Sequence, residues 1–265
     1  MQMKKTHVEI LGIRIYNRDI PSITREIGRV CTDGSPPENR CISATGAHGM
    51  ITARKDEEFK EILNGFYANL PDGMPGVWVG KLKGEKEMKR CYGPDFFAET
   101  MRATASGGIR HFLCGGTEGV AEELKASCLE KFGNANICGT YCPPFKEADE
   151  YDYEEIARLI NESGADIVWV GISTPKQEKF ARNLSRYTKV HFLATVGAAF
   201  DFHTDRLKQA PSWMQEAGLE WLFRLLTEPR RLYKRYFEIV PKFLIFSLKD
   251  LGSYHGSRLL QRRSR

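Results

Sequence analysis

No stretch of the 265-residue chain reaches the roughly 18 to 20 consecutive apolar residues that a bilayer-spanning helix needs, which argues against an integral membrane protein. The first twenty residues carry Lys4 and Lys5 but no apolar block of the signal-peptide kind, so a cytoplasmic location is expected. There is no C-x-x-C pair among the seven cysteines. Cys138 and Cys142 are four apart, but no second Cys or His pair completes a zinc set. The cysteines are therefore expected to be reduced, mostly buried thiols. Internal repeats and low-complexity linkers are missing too. So is any D-x-D pair, the usual clamp for a divalent metal on a nucleotide diphosphate.

What is present reads as an ordinary folded domain. Hydrophobic residues make up 42% and charged residues 28%, which excludes intrinsic disorder. The net charge of +5 is unevenly spread. Residues 205–265 hold 13 Lys and Arg against 6 Asp and Glu, while residues 1–204 hold 26 against 28. The positive charge belongs to the tail and bears on what the tail touches.

Residues 8–16 read as a strand or hairpin, 20–31 as a helix, 41–45 as a strand and 47–63 as one helix by apolar spacing. Residues 66–70 lead into the turn Pro71-Asp72-Gly73, followed by a helix over 77–82. From residue 109 strands and helices alternate: strands at 109–114, 135–141, 166–172 and 190–196, helices at 118–132, 153–161 and 175–184. That alternation predicts a Rossmann-like α/β fold, a parallel sheet with helices on both faces. The expected division is a catalytic domain over 1–204 and a helical, basic appendage over 205–265. In the appendage 211–226 reads as a helix, and 230–248 as a second one that Pro241 kinks or divides. Segment 230–248 mixes five cations with eleven aromatic or aliphatic residues, the composition of an interfacial helix. A helix packed on the core with a solvated basic face is the plainer reading.

Ligands of open α/β sheets bind beyond the carboxyl ends of the strands. Four strand-end loops stand out there: Ser43-Ala44-Thr45-Gly46-Ala47-His48-Gly49, Leu70-Pro71-Asp72-Gly73, Gly115-Gly116-Thr117-Glu118-Gly119, and Gly171-Ile172-Ser173-Thr174-Pro175-Lys176-Gln177-Glu178. The third, a glycine turn opening a helix, could present backbone N–H groups and the helix dipole to an anion. Taken singly each has a bland reading: turn glycines, a capping Asp72, a core His48, a first-turn Glu178.

The ordered set is more specific. Leu70-Pro71-Asp72-Gly73, Tyr92-Gly93-Pro94-Asp95, Phe112-Leu113-Cys114-Gly115-Gly116, Pro175-Lys176-Gln177-Glu178-Lys179, Val196-Gly197-Ala198-Ala199-Phe200-Asp201 and Ala210-Pro211-Ser212-Trp213 follow one another. Gly218-Leu219-Glu220-Trp221-Leu222-Phe223-Arg224-Leu225 and Glu228-Pro229-Arg230-Arg231 complete the series. Together they resemble the WecG/TagA/CpsF glycosyltransferases (glycosyltransferase family 26) over residues 8–248.

The resemblance implies an inverting, metal-independent transfer from a UDP-sugar, N-acetylmannosamine-type or another hexose, with no cofactor. The implied acceptor is a polyprenyl-diphosphate-linked sugar, used for capsule, exopolysaccharide or teichoic acid. It also implies a peripheral position on an anionic membrane, on the inner face, with the appendage completing the site; a homo-oligomer is left open. An inverting transfer needs one base for the acceptor hydroxyl, and by resemblance that base is Asp72. Gln177 would sit near the sugar or its diphosphate. Arg224 and Arg231 match the family's tail arginines, and the third cation falls at Lys234 or Arg235. The matching motifs would bring Ser43, Thr45, Gly46, His48, Gly73, Asp95, Gly115, Gly116, Gly171, Lys176, Glu178, Gly197 and Asp201 to the substrates. Two positions depart from the family pattern: Thr45 stands where many members have Asn, and Gln209 replaces a basic residue before Ala210-Pro211.

Two other classes compete. A dinucleotide-dependent dehydrogenase would want G-x-G-x-x-G after the first strand and an acid about 20 residues on; Gly115-Gly116-x-x-Gly119 lies mid-chain without that spacing. A nucleic-acid-binding protein would use the basic tail, but the run Phe243-Leu244-Ile245-Phe246 favours lipid, so no nucleic-acid partner is expected.

Overall fold

The computed structural model describes residues 6–263; Lys4, Lys5 and the last two residues of the appendage lie outside them. The chain opens with an antiparallel hairpin, β1 (His7–Ile10) and β2 (Ile13–Tyr16). Its two-residue turn has positive φ at both Leu11 (54°) and Gly12 (82°), the mirror-image turn whose twist suits a hairpin. Leucine rarely adopts that conformation. Here it is buried, and its N–H donates to Asp250 Oδ2 at 3.0 Å, far along the chain.

The main sheet has six strands: β3 (Arg40–Thr45), β4 (Ala68–Pro71), β5 (His111–Gly115), β6 (Ile137–Tyr141), β7 (Ile167–Gly171) and β8 (Phe192–Thr195). They lie in the order β4-β3-β8-β7-β5-β6, and every pairing is parallel. Strands covered on both faces should be apolar throughout. Accordingly, all five residues of β7 are buried. Trp169 points into one core layer with Phe96, Phe97 and Phe200, while Val168 and Val170 point into the other with Phe180 and Leu184. The Rossmann-like architecture is thus as the alternation predicts.

The helices are α1 (Ile20–Thr32), α2 (Ala47–Ala53), α3 (Glu57–Gly65), α4 (Met74–Leu82), α5 (Gly93–Ala103), α6 (Val120–Phe132), α7 (Tyr153–Ser163) and α8 (Lys176–Leu184). The later ones are α9 (Ala199–His203), α10 (Ser212–Glu216), α11 (Glu220–Thr227) and α12 (Pro229–Arg263). They differ from the sequence reading in four respects. The helix expected over 47–63 is two, because Asp56 caps a fresh start by accepting the Phe59 N–H at 2.9 Å. The helix expected over 211–226 is also two, broken at Gly218, where φ is 71°. Helices α5 and α9 were not anticipated. Finally, α12 runs on through Pro241 without dividing. Proline leaves the carbonyl four residues back unpaired, here that of Phe237; both residues are exposed, so water can take the bond.

A third apolar cluster joins the hairpin to the tail. Ile10, Ile13 and Ile15 pack with Met50, Phe59 and Val77, and α12 adds Ile239 and Phe243. The appendage is therefore seated on the body. Lys83, almost wholly buried, donates to Asp250 at 2.7 Å and to the Glu9 carbonyl at 2.8 Å, and Lys55 pairs with Glu238.

Candidate active site

The carboxyl ends of β4, β3, β8 and β7 open into one cavity of about 730 Å³, roofed by α10, α11 and the first half of α12. Strand order reverses in this region of the sheet, where a parallel α/β sheet has room for a ligand.

Asp72 follows β4 directly. Its backbone N–H donates to the Thr45 carbonyl, and its Oδ1 accepts the Gly93 N–H at 2.8 Å. Gly93 opens α5 so close to the end of β8 that a Cβ would lie 2.8 Å from the Val196 carbonyl oxygen. Glycine is thus needed for the donor to reach the carboxylate. Oδ2 lies beside Gly46, where any side chain would sit against it. The carboxyl sees little but protein and the cavity. Burial pushes Asp72 up to about 7, helped by the charge of Glu220 and opposed by the Gly93 N–H, Arg90 and Arg224. A carboxyl poised near neutrality can take up a proton at physiological pH and give it back.

Behind Asp72 lies a buried polar network. Thr45 Oγ1 donates to Ser43 Oγ at 3.0 Å, and Ser43 Oγ to Glu178 Oε1 at 3.0 Å. They can do so because alternate residues of a strand share a face. Glu178 Oε1 also accepts from Thr174 at 2.9 Å and from Gln177 Nε2 at 2.8 Å. Gln177 Oε1 in turn accepts the Gly197 N–H at 3.0 Å. Gln177 lines the cavity; Ser43, Thr45 and Glu178 brace it from beneath. Burial raises the Glu178 carboxyl, and its hydrogen bonds hold it back.

The tail supplies cations. Arg224 of α11 and Arg231 of α12 both pair with Glu228, and Arg235 lines the cavity one turn further on. The buried Arg224 Nε has no hydrogen-bond partner among the described residues. Desolvation lowers Arg235 despite Tyr236, and Arg231 and Arg224 lower it further. Such a concentration of guanidinium groups favours an anion. Of the two positions that spacing left open, Lys234 is exposed and outside the lining, and the one that lines the cavity is Arg235. His48 lies near it; burial and Arg235 push the imidazole down to about 4, so it is neutral at physiological pH.

Gly46, Gly73, Gly197 and Asp201 also line the cavity. Gly115, Gly116 and Gly171 do not. They pack on one another: the Gly116 N–H donates to the Gly171 carbonyl at 2.9 Å, and a Cβ on Gly115 would lie 2.5 Å from that oxygen. Lys176 turns away to the Lys146 carbonyl and Glu147. Asp95 lies outside the lining and reaches it through Arg90.

Arg90 escaped the sequence reading. Its guanidinium donates to Glu220 Oε2 at 2.7 Å, Gln215 Oε1 at 2.6 Å and Asp95 Oδ2 at 3.2 Å, while stacking over Tyr92 at 4.7 Å. It fastens the tail to the body at the cavity's edge. Its place just before Tyr92-Gly93-Pro94-Asp95 was the only signal available. Among the described residues no cluster of three or more His, Cys, Asp or Glu side chains could hold a metal ion. The seven cysteines are free thiols.

A doubly wound α/β protein with its ligand cavity beyond the strand ends, a near-neutral carboxyl on one wall and arginines on the other, is the class that fold and site define. Residues 8–255 match the model of the glycosyl transferase WecG/TagA/CpsF family, and the chain belongs to that family. It is also 29% identical over 209 residues to the N-acetylglucosaminyldiphosphoundecaprenol N-acetyl-beta-D-mannosaminyltransferase of Bacillus subtilis (strain 168), covering 79% of each chain.

Proposed function

We propose that this glycosyltransferase moves a sugar, of the N-acetylmannosamine type or another hexose, from a UDP-sugar to a polyprenyl-diphosphate-linked sugar, with inversion and without a metal. The observation that carries the reading is Asp72, a carboxyl held near neutrality across the cavity from Arg224, Arg231 and Arg235. The acceptor hydroxyl gives its proton to Asp72 as its oxygen bonds to the anomeric carbon. The bond from that carbon to the diphosphate breaks on the opposite face, and UDP leaves with the electron pair. A single displacement of this kind inverts the anomeric centre and needs one carboxylate, unlike the pair a hydrolase uses. Arg224 and Arg231 take the growing negative charge of the leaving diphosphate, the task a metal performs elsewhere. The unpaired Arg224 Nε supports that assignment. The lipid-linked acceptor is supported by the activity for which the Bacillus relative is named.

The same reading puts the protein on the inner membrane face as a peripheral enzyme. No helix among the described residues is long and apolar enough to cross a membrane. Helix α12 nonetheless exposes Phe237, Leu244, Ile245 and Leu248 beside Arg230, Lys234 and Lys249, a pattern suited to an anionic interface. Purified protein, a panel of UDP-sugars and a synthetic lipid-diphosphate-N-acetylglucosamine acceptor provide the test, with UDP release and product anomeric configuration as readouts. Inverted product from one UDP-sugar is expected. Retention of configuration, or no turnover with any donor, overturns the reading.

A further inference from the structure

The cavity continues beyond the arginines. Past Arg235 its lining carries no charge: Trp78 and Leu82 of α4 stand opposite Val240, Leu244, Leu248 and Leu251 of α12, over a floor of Val79 and Phe243. From Arg235 to Leu248 the helix rises about 20 Å, which sets the length of this trough. The floor is buried, but the rim is not: Leu82 is 60% exposed, Leu244 59% and Leu248 71%. Contiguous apolar surface left open on a protein marks a binding site.

The polarity along the cavity limits what can occupy it. One end presents four arginines, Arg90, Arg224, Arg231 and Arg235, with Asp72, Asp201 and Glu220; the other presents hydrocarbon, the Trp78 indole and one serine hydroxyl. The complementary molecule has an anionic head and a long apolar tail joined directly to it. We propose that the trough between α4 and α12 holds the first isoprene units of the acceptor's lipid tail. Arg235, where charge gives way to hydrocarbon, takes the acceptor's diphosphate. Arg224 and Arg231 remain for the leaving group. This rests on the acceptor class proposed above and adds where its tail lies. The trough lets the enzyme weigh the lipid as well as the sugar: apolar contacts there tighten acceptor binding and hold the sugar hydroxyl toward Asp72.

The test uses two acceptors with the same sugar diphosphate, one carrying a long polyprenyl tail and one a single isoprene unit. They are assayed in detergent micelles, so that no bilayer is present. Wild-type protein is expected to show a KM at least about tenfold lower for the long-tailed acceptor, the scale of a few apolar contacts in a pocket. In Leu82→Gln and Leu248→Gln, both at exposed rim positions, the ratio of the two KM values should collapse toward one, with melting temperatures close to wild type. Equal KM values in the wild type overturn the trough and leave the sugar transfer standing, whereas no transfer to either acceptor sinks both. Two other outcomes also overturn it. One is variants that lose liposome binding but keep the wild-type KM ratio, which makes the rim a membrane contact. The other is a wild-type dimer that the variants convert to monomer at unchanged ratio, which makes it an interface between copies.

Discussion

The two walls of the cavity are built to different standards. The body wall is rigid by construction: Asp72 hangs from the end of a parallel strand, and Gln177 is fixed by Glu178 and the Gly197 N–H. The tail wall rests on much less. Neither α10 nor α11 has a single fully buried residue, and Arg90 ties them to the body at the cavity's edge through Glu220 and Gln215. The difference teaches a division of labour. Groups that need exact placement for proton transfer sit on the sheet, and groups that need only supply charge sit on an element able to shift with the substrate.

The comparison breaks most sharply at Asp72. Asp72→Asn keeps the acceptor for the Gly93 N–H but removes the base, and turnover should fall by roughly 10² to 10⁴. A variant that kept a third of wild-type turnover would strip Asp72 of the role. Stability should move the other way. The folded protein holds the Asp72 proton up to about 7, above the usual carboxylate value. Its burial therefore costs nothing at pH below about 4 and progressively more as pH rises through 7. The Asn variant should melt a few degrees higher at pH 8 and lose that advantage in acid.

On the other wall, Arg224→Ala should lower turnover by about 10², the worth of one donor to a developing charge, even with a short acceptor that needs no membrane. Turnover within a factor of two of wild type would take Arg224 of α11 out of the chemistry. Arg90→Ala tests whether the tail must be latched. It leaves Glu220 partly buried without its cation, and kcat/KM should fall by about tenfold, chiefly through KM, with a large part regained in Arg90→Ala/Glu220→Gln. A loss confined to kcat would mean that Arg90 acts on the chemistry itself. The pH profile should be milder still: turnover rises as Asp72 loses its proton through about pH 7 and levels off above about 8. A profile flat between pH 6 and 8 would remove Asp72 as the controlling group. Smallest of all is the effect of EDTA, which should leave turnover unchanged; loss on chelation, restored by Mg²⁺ or Mn²⁺, would give the arginines' task to a metal.

Much of the body was legible because a parallel sheet imposes its own pattern. Residues 167–170 are apolar without a break, as a strand buried on both faces requires, and Gly164 and Gly171 mark the ends of α7 and β7. Short or weakly capped elements were not legible: α9 has five residues, and α5 begins at Gly93-Pro94 with no side-chain cap. The motif residues Asp72, Gln177, Arg224 and Arg231 do meet at one cavity. Gly115 and Gly116 show the limit of composition, since a glycine pair at a strand end serves equally for packing against Gly171. The choice between Lys234 and Arg235 was open by spacing, yet Arg231, Arg235 and Ile239 are four apart and share a helical face. Arg90 meets partners 125 and 130 residues away, and no local pattern carries that information.

The bond from the Leu11 N–H to Asp250 spans 239 positions of the chain. During synthesis the hairpin emerges well before the residues that complete its surroundings, Ile239, Phe243 and Asp250. At a ribosomal pace of about 5 to 20 residues per second, that interval is roughly 12 to 48 seconds. Until then the strained Leu11 turn lacks its acceptor and the hairpin cluster lacks its outer cover. The nascent protein can form its sheet early, but it acquires its last core, and the trough beside it, only after α12 has left the ribosome.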